Sequence, residues 1–110
     1  MSDSSNAQGG IAGLTIARED HGDKGQYTAK IDGARESGKL TWVKRMDGDT
    51  PVRVAEHTIV PREIGGKGVA AQLVDALVDD AREHGFKIDP QCSYVAEKFD
   101  DNPVWHDLRA

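Results

Sequence analysis

The chain has 110 residues, of which 37% are apolar and 30% charged, and its net charge is −5. That is the size of one small domain, which buries roughly two-thirds of the surface its unfolded form exposes, so a large ligand has to lie in a groove and not in a deep chamber. The negative charge argues against nucleic acid as the main partner, because such binding usually needs a basic face, and no apolar run approaches the ~20 residues of a membrane span.

The first ten residues, MSDSSNAQGG, are polar and lack the basic and apolar regions of a signal peptide. They read as a disordered tail over 1–10, ahead of one domain over 11–110. Leu14–Arg18 is a short apolar-rich run, and His21–Gly25 is turn chemistry. Tyr27, Ala29 and Ile31 then alternate with Thr28 and Lys30, the period of two that marks a half-buried strand. Lys39–Met46 follows the same rule and stops at Asp47-Gly48-Asp49. Val52–Val60 is the fourth strand, with Val52, Val54, Glu56, Thr58 and Val60 on one side and Arg53, Ala55, His57 and Ile59 on the other. Such close spacing implies antiparallel hairpins.

The pattern changes at Pro61. After a run of glycines, Ala70, Leu73, Val74, Leu77, Val78 and Ala81 recur at helical spacing, and Gly85 is the stop. Asp79-Asp80 reads as a solvated helix face. Phe86–Asp89 is a short strand, Pro90–Tyr94 a turn or a new extended piece, and Ala96–Asp101 a short helix ended by Asn102-Pro103. The fold class is therefore α+β, or mixed α/β, with largely antiparallel N-terminal strands. One long helix follows a glycine loop, and then come a parallel strand and a short C-terminal helix. A helix that joins strands four and five usually makes them parallel.

Gly65-Gly66-Lys67-Gly68-Val69-Ala70 lies between a strand and a helix start with no Ser, Thr or Asp cap. The unpaired N–H groups and partial positive charge of such a terminus suit a diphosphate, with Arg62 and Lys67 as added charge; a plain flexible turn is the bland alternative. The P-loop pattern is absent, since Gly68 follows Lys67. Gly66, Gly68 and Ala71 match the dinucleotide pattern, with Asp89 ending the next strand. However, Pro61–Ile64 intervenes between strand and loop, and too little chain follows for a second mononucleotide half.

A third pattern, [Q/R]-x-x-G-x-[G/A], is the acyl-CoA loop of the GNAT superfamily, matched here except that Gly65 replaces Gln or Arg. Around it, His57-Thr58-Ile59-Val60-Pro61-Arg62-Glu63, the glycine loop, the helix, Gly85–Ile88, Pro90-Gln91-Cys92-Ser93-Tyr94-Val95 and the ending Asn102–Leu108 follow in order. In this the chain resembles the very short GNAT-like acetyltransferases, from about Leu14 to Leu108. The resemblance implies a GNAT-like acyl-CoA N-acyltransferase fold and an N-acetyltransferase activity on an amine, small molecule or protein lysine, with acetyl-CoA as co-substrate. It places cofactor contacts at the backbone of Ile59 and Val60 and along Gly65, Gly66, Lys67, Gly68, Val69 and Ala70, to which Arg62 adds the charge named above. It also puts Cys92 near the thioester.

Two catalytic readings stand. An amine attacks acetyl-CoA directly while His57 or Glu56 takes its proton, or Cys92 first takes the acetyl group as a thiolate. The bland readings are a buried, inert Cys92 and a His57 that fills a strand position. The lone cysteine permits no intramolecular disulfide and fits a reducing, cytoplasmic compartment. The four histidines show no metal-ligand spacing, so no metal is expected. The rival function is a non-catalytic module that binds acyl-CoA or another protein.

Overall fold

The computed structural model describes residues 11–66 and 68–110; the tail expected over 1–10 and Lys67 lie outside the described residues. Four strands come first: β1 Leu14–Asp20, β2 Lys24–Ile31, β3 Gly38–Asp47 and β4 Thr50–Ile59. A short 3₁₀ turn, Arg62–Ile64, leads to the helix α1, Val69–His84. Strand β5 Lys87–Pro90, helix α2 Ser93–Asp101 and a 3₁₀ segment Pro103–Leu108 complete the chain. The sheet order is β1-β2-β3-β4-β5. The first four strands pair antiparallel and β5 adds parallel to β4, as the connecting helix requires. Among the described residues no helix is long and apolar enough to cross a membrane.

Strand alternation sorts the sheet into two faces. Tyr27, Ala29, Leu40, Trp42 and Ala55 are buried against Leu73, Val74, Leu77, Val78 and Ala81 of α1 in one core. Val69 and Ala76 join that stripe, while Ala70 is only half-buried. Val95, Phe99 and Leu108 extend the core beneath α2, with the Trp105 ring edge-on to Phe99 at 5.4 Å. The opposite face carries exposed Thr15, Lys24, Lys30 and Lys39.

Three sequence expectations need correction. The alternation in β4 is broken: Thr41 pairs with His57 but Trp42 pairs with Ala55, so Glu56 is an extra residue, a β-bulge. Helix α2 begins at Ser93, three residues before the expected start, with Cys92 as its N-cap. Asp79 is exposed, but Asp80 is not part of a solvated face; it is 7% exposed. Asp80 accepts from the Tyr27 hydroxyl at 2.8 Å and from Arg18 Nε at 3.1 and 3.0 Å. The Tyr27 oxygen in turn accepts from Arg53 Nη1 at 2.7 Å. Burial, and then the bond to Asp80, push the Tyr27 phenol above its ordinary range. The Arg53 guanidinium lies 3.9 Å from the Trp42 ring and 4.3 Å from that of Phe86, a desolvated cation–π stack. A charge inside the core is tolerable here because every partner is hydrogen bonded.

The pairing of Gly25 with Trp42 explains one glycine of the β1–β2 hairpin. A Cβ at Gly25 would stand 2.1 Å from the Glu19 carbonyl oxygen and 2.5 Å from the Trp42 ring. We expect Gly25→Ala to lower the stability measured by urea unfolding by about 1–3 kcal/mol, the usual cost of overpacking; an unchanged midpoint would mean that Trp42 does not lie on this strand.

Candidate functional site

The parallel ladder between β4 and β5 runs from Val52↔Lys87 to Ala55↔Pro90 and stops. The next two amides, Gln91 and Cys92, both donate to the Ala55 carbonyl, at 3.1 and 2.9 Å. On the paired side Arg45 reaches across β4 from β3 to Asp89 of β5, at 2.5 Å. Beyond Ala55 the strands part. The bulge at Glu56 turns β4, which runs on through His57, Thr58 and Ile59 paired only with β3. The chain after β5 turns instead into α2. This leaves a wedge between the end of β4 and the start of α2, with Ile59 63% exposed.

The glycine loop closes the same end of the sheet. Val60 and Val69 both pack against Gly38, so the N-terminus of α1 stands beside the end of β4. Ile64 is buried below the loop. The Glu63 carboxylate accepts from the amides of Arg35 and Glu36, at 3.1 and 3.2 Å, which ties the loop to the β2–β3 turn. Gly66 and Gly68 hold φ of 73° and 86°, where side chains are strained. An added Cβ at either would meet nothing within 4 Å, so open space lies in front of them. Gly68 is the N-cap of α1 and no side-chain hydrogen bond closes that terminus. Val69 is buried, so its side chain belongs to the core and only its amide faces the loop. Gly65 and Ala70 are half-buried, and Arg62 is exposed.

Cys92 is half-buried at the edge of the wedge. Its thiol donates to the Thr58 hydroxyl, Sγ to Oγ1 3.5 Å. Burial pushes the thiol pKa up. The Thr58 hydroxyl, which can turn to donate to sulfur, and the amides of Val95 and Tyr94 at the start of α2 outweigh it and bring the pKa below the ordinary thiol value. These amides favour the thiolate without closing a cap hydrogen bond to the side chain. The structure brings Thr58, not His57, to the sulfur. His57 is exposed, and as the neighbour of Thr58 in the strand its side chain leaves from the other face. Thr58 was invisible as a partner in the sequence, because only the unannounced bulge places it on the face of Leu40, its pair in β3. Tyr94 is half-buried, with Lys98 Nζ 5.8 Å from its ring.

Among the described residues one group has metal-ligand geometry: Asp80, Glu83 and His84, within 4.8 Å of one another. Arg18 and Tyr27 already occupy both oxygens of Asp80, and the group lies away from the wedge, at the C-terminal end of α1.

The family model of the GCN5-related N-acetyltransferases matches residues 26–108. The chain belongs to that family. Its five-stranded mixed sheet with a helix between β4 and β5 accords with this membership, and the family places the chain among acyltransferases. The match spans β2 to Leu108, so it includes the wedge, the loop and Cys92.

The surroundings of Cys92 have a measurable consequence. Alkylation by iodoacetamide, followed against pH, should show a midpoint below that of a cysteine in an unstructured peptide. Thr58→Val removes the hydroxyl that helps to hold the thiolate and should move that midpoint up. A midpoint at or above the free-thiol value would show that burial wins.

Proposed function

We propose that the protein is an acetyl-CoA-dependent N-acetyltransferase with an amine acceptor, a small molecule or a protein lysine. The observation that carries this is the parting of β4 and β5 at Ala55 beside an uncapped helix start. A pantetheine arm is extended and carries amides, so it suits the unpaired edge of His57–Ile59. The diphosphate suits the amides from Gly66 to Ala70, and the exposed Arg62 adds charge. Open space in front of Gly66 and Gly68 fits the bulk of phosphate groups. Lys67, the other expected cation, lies outside the described residues. Bound in this way, acetyl-CoA supplies the activated acetyl group with its thioester at the mouth of the wedge.

The residues around Cys92 support a relay. The Cys92 thiolate attacks the thioester carbonyl, the bond from acetyl carbon to CoA sulfur breaks, and CoA leaves as a thiolate that takes up a proton. The amine then attacks the acetyl-cysteine, and the Cys92 thiolate leaves as the amide forms. The amine must lose a proton, and His57 and Glu56 are the nearest bases along β4; from the exposed position of His57 that transfer runs through water. The Thr58 hydroxyl favours the thiolate form of Cys92 over the thiol.

Calorimetry should detect CoA binding at micromolar concentration, and no binding at millimolar CoA would end this reading. Incubation with acetyl-CoA should give an acetyl adduct in the intact mass that is missing in Cys92→Ala, with free acetyl-CoA chemistry controlled by an unfolded sample. Full turnover in Cys92→Ala would leave direct attack by the amine. CoA binding without transfer to any member of a broad amine panel would favour the non-catalytic module.

A further inference from the structure

Thr41 Oγ1 is the one buried side-chain polar atom without a hydrogen-bond partner among the described residues. Buried hydroxyls in folded proteins are nearly always met, so an unmet one calls for an explanation. The Thr41 side chain stands on the sheet face away from α1, because its strand neighbours Leu40 and Trp42 are both buried under that helix. Two residues lie directly opposite it, Gln26 on β2 and His57 on β4. The Gln26 amide nitrogen donates to Thr28 Oγ1 at 2.9 Å and to Glu19 Oε2 at 3.3 Å, so both of its protons are spent. His57 is exposed and makes no hydrogen bond among the described residues. It is therefore the unspent donor directly across from the hydroxyl.

This pairing is a product of the bulge. Trp42 pairs with Ala55, so a regular ladder would set Thr41 against Glu56 and turn His57 to the α1 side opposite Leu40. The extra residue moves His57 to the outer face, against Thr41. The sheet order then sets Thr41 on one flank of His57 and the wedge on the other, since β4 lies between β3 and β5. Directly opposed Cβ atoms stand ~4.5–5.5 Å apart, within reach of an imidazole that turns toward its partner. An exposed side chain makes such turns readily.

We propose that Thr41 is a positioning residue for His57. Nδ1–H of the neutral imidazole donates to Thr41 Oγ1, and the Nε2 lone pair is left on the wedge side. There, through water, Nε2 takes the proton that the amine loses as its nitrogen bonds to the acetyl carbon. Thr58 shares the face of Leu40, so the Cys92 sulfur stands on the α1 side. The amine consequently arrives from the opposite face, with the thioester between the two. This inference rests on the acetyltransferase reading given above and selects His57 over Glu56 as its base.

Nitrogen chemical shifts of the His57 imidazole test it, and they need no acceptor. They are recorded on protein saturated with CoA, in alkaline solution where the ring is neutral. The proton should sit on Nδ1 in the unsubstituted protein. It should move to Nε2 in Thr41→Val and return to Nδ1 in Thr41→Ser, which restores the hydroxyl. Valine keeps the shape of threonine and suits a strand, so the variant should fold, and the shifts of His84 and His106 should be the same in all three proteins. A proton on Nε2 in the unsubstituted complex would overturn the proposal, as would a tautomer that Thr41→Val leaves unchanged. Failure to bind CoA at millimolar concentration is a separate result, which removes the acetyltransferase reading and this inference with it.

Discussion

The carbonyl of Ala55 accepts two N–H bonds, from Gln91 at 3.1 Å and from Cys92 at 2.9 Å, and the wedge at this end of the sheet is arranged around that oxygen. Before it, β4 and β5 are one ladder. After it there is no ladder, because Glu56 bulges and the amides of both Gln91 and Cys92 are spent on Ala55. The two bonds hold Cys92 at the point of divergence and direct the chain into α2, whose first amides then act on the sulfur. A parallel pair of strands that ran on would close the wedge and bury the thiol.

The two ends of the sheet are built differently. Around Arg53 the cation–π stack, the Tyr27 hydroxyl and Asp80 fasten β2, β4, the start of β5 and the last turns of α1 together. At the opposite end the glycine loop rests on Ile64 and on the bond of Glu63 to the β2–β3 turn, and it presents backbone instead of side chains. A small domain has few residues to spare for holding a large ligand. Here the loop presents a helix start that no side chain caps, while the buried hydrogen bonds and the cation–π stack lie at the far end.

Much of this could be read from the residues. The stripe from Leu73 to Ala81 and the stop at Gly85 located α1, because helical periodicity is a local property. The hairpins followed from alternation around His21–Gly25 and Asp47-Gly48-Asp49, and the uncapped start of α1 from the absence of Ser, Thr or Asp. What escaped was set by contacts between distant segments. Tyr27 and Asp80 are 53 residues apart, so a solvated acidic pair was the natural reading of Asp79-Asp80. The bulge at Glu56 has no glycine or proline to announce it, yet it decides that Thr58 meets Cys92 and His57 does not. The start of α2 was hidden by Pro90 and Cys92, neither of which signals a helix; the N-cap residue is Cys92, whose amide is held by Ala55 and whose thiol closes no cap bond.

The central claim is that the end of β4 and the start of α1 together form one slot for an extended acyl-CoA. Amide chemical shifts recorded during a titration with CoA test it most directly. The account expects the shifts to cluster at Ile59, Gly66, Gly68, Val69 and Ala70, with Cys92 responding where the thiol of the ligand ends, and the amides around Arg53 unmoved. Shifts gathered around Arg53 and Asp80 with the glycine loop silent would contradict it.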